Sequence, residues 1–196
     1  MLEAAASLVV ERGYEALRFQ DVSVATGVPI ASLRHYFPTV GELRQAAMTH
    51  SIRAELVMLE ELAEIHDDPW VQLVEFIRHS LGVDAGARRR SWLLWLEYWR
   101  MTAREPDGGT LAAEIYGAWD TVMARIIERG VTAGTFTLDM PVSEAAFHIG
   151  AFIDGVGPII AGAADDEAVV ARAFHLVESA SRRLLSVAPE HGGHLG

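Results

Sequence analysis

Two short helical patterns meet at a three-residue turn, Gly27-Val28-Pro29, and this turn limits what the chain can fold into. Phe19, Val22 and Ala25 recur at i, i+3, i+6 spacing, which predicts a helix over about 19–26 with those three on its buried edge. Gly27 supplies the left-handed residue that closes a helix without a Cβ penalty. Pro29 suits the first turn of a second helix, where its missing N–H has no intrahelical partner to lose. That helix, Pro29 to Phe37, is expected to bury Leu33 and Phe37. Helix, tight Gly turn and short helix form the arrangement that sets a recognition helix into a DNA major groove.

The flanking residues extend the pattern without a gap. Leu2-Glu3-Ala4-Ala5 and Val9 to Ala16 form a first helix and turn, followed by Asp21-Val22 and Gly27-Val28. Leu33, His35, Tyr36 and Phe37 close the second short helix, and Pro38, Glu42 and Leu43 open a longer one. In this ordered run, about the first quarter of its length, the chain resembles the TetR family of bacterial transcriptional repressors. The resemblance implies an all-α fold with an N-terminal three-helix helix-turn-helix head (residues 1–43). A C-terminal helical ligand-binding and dimerisation domain (44–188) and a short tail (189–196) would follow. It also implies a homodimer on palindromic double-stranded operator DNA, released by a small-molecule effector, with no cofactor, metal or enzymatic role. Among the DNA-binding residues, Ser32, Arg34 and His35 are then the base-edge candidates, and Arg18, Tyr36 and Thr39 the phosphate contacts. Pro29, Ile30 and Ala31 complete the segment.

The sequence departs from the family pattern at named positions. Leu17 stands for the usual Thr, Pro29 for Ser, Ala31 for Gly, Arg34 for Tyr and Val40 for a Lys that commonly meets phosphate. Val40 removes one phosphate contact per subunit, and Arg34 either restores one or reads a base. Met1 falls inside the family's first helix, which leaves room for a basic arm ahead of it.

Charge bears on the same question. The 196 residues carry a net charge of −11, which argues against a protein that coats nucleic acid generally. No Asp or Glu lies between Val22 and Gly41, however, and residues 1–50 hold four Arg against five acids, a net of −1. The remaining −10 belongs to the rest of the chain, so DNA affinity requires two heads acting together. There is no Cys and no Lys, which excludes disulfides and thiol chemistry. The start has no basic segment of the secretory kind, and no run reads as a membrane-spanning helix, so a cytoplasmic protein is expected.

Beyond Leu43 the pattern is helical throughout. Turn residues divide it into helices over about 41–64, 69–83, 87–104, 110–129, 141–160 and 166–187. The 141–160 helix is apolar almost all round, interrupted mainly by Glu144, His148 and Asp154, and so needs burial on several sides. In the last helix Val170, Ala173, Val177, Ala180 and Leu184 fall at 3, 4, 3, 4 spacing. With the small Ala151 and Gly155 of the preceding helix they are expected to build a four-helix interface between two copies.

Four of the five Trp lie between 92 and 119. Each aromatic residue alone reads as core. Together Trp92, Trp95, Tyr98 and Trp99, with Tyr116, Trp119 and Met123 on the next helix and His148 and Phe152 beyond, suggest the wall of a chamber for a flat, apolar molecule. Glu97 and Asp120 favour a cation, and Arg100 an anion if it points inward. Two alternatives stand beside the regulator: a helical dimer that binds a small molecule without DNA, and a small all-α enzyme using the aromatic cavity. No nucleophile elbow, P-loop, zinc motif or dinucleotide fingerprint is present.

Overall fold

The structure, a computed structural model, describes residues 1–82, 85–104 and 108–187, with residues 85, 86 and 108 described by backbone alone. The expected tail (189–196), the expected break after residue 104 and the expected helix end at residue 83 fall on residues outside those described. The regular elements among the described residues are α-helices apart from one 3₁₀ turn, and they pack as two compact units. One comprises Met1–Glu55 with Arg90–Ile115, the other Leu56–Arg89 with Tyr116–Gly196. The first unit thus packs the head together with a helix from much later in the sequence.

The first unit opens with α1 (Leu2–Arg12), the 3₁₀ turn Tyr14–Ala16, α2 (Phe19–Thr26) and α3 (Ile30–Tyr36). Ala5, Leu8 and Val9 of α1 are buried, as are Tyr14, Leu17, Val22 and Leu33. Asp21 fixes the start of α2 by accepting the backbone N–H of Arg18 at 2.8 Å, while Arg12 bridges to the same carboxylate at 2.7 Å. Gly27, at φ 72°, ends the helix with its N–H on the Ser23 carbonyl. The Pro29 carbonyl then accepts from Ser32 and Leu33, starting α3 one residue later than the sequence suggests. Ala25 is exposed, not buried: only Val22 and half of Phe19 face the core, because an eight-residue helix turns its last residues outward. Phe37 is half-buried.

Helix α4 (Val40–Leu62) buries Leu43, Ala47, Met48, Ile52 and Leu59. Its N-terminal part, to Glu55, belongs to the first unit. So do α6 (Ala85–Thr102) from Arg90 onward and the opening of α7 (Gly108–Thr132).

The second unit is built from α5 (Pro69–Ser80), the rest of α7, α8 (Val142–Gly162) and α9 (Glu167–Leu184). Asp68 and Asp166 cap α5 and α9 by accepting two backbone N–H groups each. Arg88, 4% exposed, donates to the Ala164 carbonyl at 2.6 Å and pairs with Glu167 at 3.1 Å, which pins the α8–α9 turn. At the far end the Arg182 guanidinium lies 4.4 Å from the Trp70 ring centroid, and Thr137 donates to the Leu185 carbonyl at 2.9 Å.

Helix α8 is long and apolar enough to cross a membrane by length and composition, contrary to the reading that no segment is. Its charged and polar interruptions are spaced widely enough to leave an apolar window. The circumference is divided: Ala145, Ala146, Ile149, Ile153 and Ile160 are buried, while Phe147 and Ile159 are 63% and 56% exposed.

One close approach sets the α7–α8 link. A Cβ at Gly130 would run into the Phe136 ring, which packs directly on the helix backbone there. Gly130→Ala is expected to destabilise by about 1–3 kcal/mol through overpacking. Gly117→Ala, with nothing near its Cβ, should gain up to about 1 kcal/mol from helix propensity. Urea denaturation of the two variants checks both signs.

Candidate functional site

Leu33 anchors α3 in the head, and the rest of that helix stands outward. Pro29, Ala31, Arg34, His35 and Tyr36 are exposed, and Ile30 and Ser32 are half-exposed. The Arg34 guanidinium lies 5.6 Å from the Phe19 ring centroid, which limits its sweep and aims it from a fixed base. His35 and Tyr36 meet edge to face at 5.3 Å. Arg18 and Thr39 are exposed but already engaged. Arg18 donates to the Glu15 and Leu17 carbonyls at 2.6 and 3.1 Å, and the Thr39 hydroxyl caps α4 against Glu42. The result is a short helix bearing a guanidinium, an imidazole and hydroxyls on one outward surface, free of acids.

Behind this face lies a contact that periodicity did not reveal. Two guanidinium groups lie over the Tyr14 ring, Arg44 at 5.5 Å and Arg100 at 5.6 Å from its centroid. Its backbone N–H donates to Glu97 Oε2 at 3.1 Å, and Arg100 donates to that same oxygen at 3.0 Å. Arg44, 7% exposed, donates to the Leu17 carbonyl at 2.6 Å and to the Glu15 carbonyl at 2.8 Å. Glu97 and Arg100 therefore clamp α6 to the head. Arg100 pairs with Glu97 and Glu15 here, beside the Tyr14 ring.

The aromatic residues expected to line one chamber fall in the two units, and each group is described within its own. In the first, Trp92, Trp95 and Trp99 share one face of α6, with ring centroids 6.1 Å (Trp95–Trp99) and 6.4 Å (Trp92–Trp99) apart. Trp92 and Trp95 are buried and Trp99 is half-buried. Tyr98 is fully buried core, its hydroxyl bonded to the Leu111 carbonyl at 3.1 Å and pushed up to about 12 by burial. Glu55 of α4 accepts from Trp95 Nε1 at 3.1 Å and from the Ser91 hydroxyl at 3.3 Å. Burial pushes its carboxyl up to about 7 against the pull of those two bonds. Sequence reasoning passed over Glu55, although Met48, Ile52, Glu55 and Leu59 fall at 4, 3, 4 spacing and put an acid in an apolar seam.

In the second unit Trp119 packs edge to face on Phe76 at 5.6 Å, and Met123 is core. Tyr116 donates to Asp154 Oδ2 at 3.2 Å. Burial, offset in part by that bond and reinforced by Asp120, raises the Asp154 carboxyl from its ordinary 3.8 to about 6, and burial raises Asp120 as well. His148 and Phe152 are half-buried on α8.

The residues expected at a dimer interface divide between core and surface. Val170, Ala173 and Val177 are buried within the unit and are not available to a partner. The 3, 4 spacing identified a buried face correctly, but this chain's own helices cover it. Ala180 and Leu184 are half-buried, and Ala151 and Gly155 are exposed. Phe147, Ala151, Gly155 and Ile159 form an i, i+4, i+8, i+12 ridge along α8, with Leu176 of α9 also 51% exposed. Among the described residues no cluster of metal-ligating side chains occurs.

The family pattern described as bacterial regulatory proteins, tetR family, matches residues 1–47. That described as BetI-type transcriptional repressor, C-terminal, matches residues 69–186. No curated protein matches the chain in sequence. Among solved structures, a transcriptional regulator from Saccharomonospora viridis in complex with choline is 24% identical, with a TM-score of 0.78 over 91% of each chain. A TetR-family regulator from a Rhodococcus species is 20% identical, with a TM-score of 0.78 over 94% of this chain and 95% of that one. A TetR regulator from Haloarcula marismortui is 18% identical, with a TM-score of 0.79 over the same shares. These likenesses establish the shared fold.

The Asp154 carboxyl offers a direct test of the geometry around Tyr116. An acid whose folded value is raised loses stability as pH climbs through it, so the penalty is absent in acid and full above about pH 7. Asp154→Asn should therefore stabilise the protein near pH 8 by on the order of 1–2 kcal/mol, allowing for the water that still reaches the group. The gain should fall to a few tenths of a kcal/mol near pH 4. Urea titrations at the two pH values read it.

Proposed function

Because the chain belongs to the TetR family of bacterial regulatory proteins, we propose that it is a homodimeric repressor of transcription. It holds a palindromic operator in the cytoplasm and releases it when a small, largely apolar effector binds. The observation that carries this reading is α3: a helix anchored by buried Leu33 that leaves Ser32, Arg34, His35 and Tyr36 facing out over an acid-free surface. Two such helices, one per subunit, enter successive major grooves about 34–36 Å apart. Arg34 grips a guanine edge through two hydrogen bonds, His35 and Ser32 meet neighbouring bases, and Tyr36 meets the backbone.

The second copy docks on the α8 ridge of Phe147, Ala151, Gly155 and Ile159. Small residues at its centre permit close approach, and large apolar residues at its ends supply buried area. Half-buried Ala180 and Leu184 of α9 flank it.

The effector carries positive charge. Glu55 and Asp154 are each withdrawn from water against aromatic donors, neither forms an ion pair among the described residues, and Arg100 is held in the head clamp. The choline in the Saccharomonospora regulator is a cation of the same class. Aromatic side chains such as Trp92, Trp95 and Trp99 of α6 offer a cation an electron-rich surface that water does not match.

A gel shift with DNA from upstream of the gene tests the DNA reading. Arg34→Ala should cost about 1–3 kcal/mol on the operator and much less on random DNA. Equal losses on both would reduce Arg34 to a backbone contact, and no shift by the parent protein would overturn the reading. For the dimer, a Cβ at Gly155 meets nothing within the chain. Gly155→Arg should therefore yield a folded monomer by light scattering, and a dimer that survives would move the interface elsewhere.

A further inference from the structure

We propose that Phe19 is a positioning residue for operator specificity, its ring holding the Arg34 guanidinium ready for a guanine edge. Discrimination between sequences then depends on an apolar side chain that reads no base itself, while general DNA affinity does not. The proposal rests on the DNA-binding reading above and assigns it a residue outside the recognition helix.

Residues 1–50 contain four Arg, and the head uses three of them to hold itself together. Arg12 bridges to Asp21 at 2.7 Å, and Arg18 donates to the Glu15 and Leu17 carbonyls. Arg44 caps the same two carbonyls from a buried position. Arg34 is the exception. Among the described residues its guanidinium has no hydrogen bond and no ion pair, and it lies over the Phe19 ring with Cζ 5.6 Å from the centroid. Acids close in sequence to the two residues are occupied. Asp21 takes Arg12 and the Arg18 backbone N–H, and Glu42 accepts from the Thr39 hydroxyl.

The packing of the head sets this meeting. Val22 of α2 and Leu33 of α3 are buried anchors. Phe19 stands one turn before the first and Arg34 one residue after the second, with Phe19 half-buried and Arg34 exposed. A contact over a ring uses the charge of a guanidinium and none of its five N–H groups, which lie in its own plane. All of them remain for a base, and the N7 and O6 acceptors of guanine call for two side by side. An exposed Arg without such a ring samples many rotamers, and ordering it on binding costs about two- to tenfold in affinity. The guanine edge demands that ordering. Phosphates line every sequence alike and do not.

The test compares the parent protein with Phe19→Leu, Phe19→Met and Phe19→Tyr by fluorescence anisotropy on two duplexes. One is the sequence that the parent enriches from a randomised duplex library, and the other is its scrambled counterpart. Leu and Met keep apolar volume and lose the ring, and Tyr keeps the ring. Thermal melting checks that the ringless variants stay folded. With two subunits on the DNA, they should lose about tenfold in the ratio of operator to scrambled affinity. Their scrambled affinity should stay within about twofold, and Phe19→Tyr should keep the parent ratio. In an Arg34→Ala background Phe19→Leu should leave the ratio unchanged, because a residue that acts through Arg34 then has nothing to position. Replacing the operator guanines with 7-deazaguanine, which lacks the N7 acceptor, should likewise erase the difference between parent and Phe19→Leu.

Proton NMR reads the contact with no DNA and no variant: the ring current should shift the Arg34 Cδ protons upfield in the parent. An unshifted signal there, an unchanged ratio in the ringless variants, equal losses on both duplexes, or a loss that persists beside Arg34→Ala would each overturn the proposal. All four leave the regulator reading intact. A parent protein that enriches no sequence and binds no duplex overturns both.

Discussion

The head depends on the Tyr14 ring and the Arg44 and Arg100 guanidinium groups that lie over it. A helix-turn-helix of about fifty residues buries little apolar surface, and Gly13 to Arg18 must cross from α1 to α2 with a single 3₁₀ turn for regular hydrogen bonding. Arg44 satisfies that crossing by capping the Leu17 and Glu15 carbonyls from below. A buried guanidinium carries a large desolvation cost, and only a full set of acceptors together with the ring face offsets it. Arg100 and Glu97 of α6 take the Tyr14 ring and its backbone N–H. The helix that carries the Trp face is thereby bonded to the residue five positions before the recognition motif begins. A movement of α6 would have either to carry the turn before α2 along or to break this charged, partly buried cluster.

The local signals in the sequence were sufficient for the head. Gly27, Pro29 and the spacing of Phe19, Val22 and Leu33 act within a few residues of one another, and they produce the helices and the turn where expected. The later helices were legible as helices, with ends shifted by one to a few residues where caps compete. What periodicity cannot supply is the identity of the surface that covers a face. Val170, Ala173 and Val177 read as a seam and are one, but α5 and α8 of the same chain close it. Glu97 and Arg100 were legible as an i, i+3 pair, yet their partner Tyr14 lies more than eighty residues away, beyond any spacing rule. Glu55 was hidden for the opposite reason. Its position in the 4, 3, 4 seam was visible, but an acid there looks like a solvated edge until Trp95 and Ser91 are found against it.

Glu55 and Asp154 mark where the chain accepts a loss of stability. Burying a carboxylate without a cation opposes folding at neutral pH, and a Gln or Asn in either place would relieve it. The protein has sixteen Arg available and places several of them as clamps elsewhere, at Tyr14, Phe174, Trp70 and the Ala164 carbonyl. Leaving these two acids without a guanidinium is therefore a feature of the fold that packing alone does not account for.

The size of the response such a protein requires can be bounded. Moving a two-state equilibrium from almost wholly bound to almost wholly released takes about 5.5 kcal/mol of differential binding. In a symmetric dimer two effector sites share the task, so each must favour the released state by about 2.7 kcal/mol, roughly a hundredfold. Apolar stacking that is equal in both states contributes nothing to that difference, however tight the binding. The difference must arise where the two states differ, and in the first unit Glu97 and Arg100 of α6 meet Tyr14 and Glu15 of the turn before α2. A charged cluster of this kind holds several hydrogen bonds and a cation–π contact, each of order 1 kcal/mol. Loosening it partly is enough to supply the hundredfold ratio without unfolding the head.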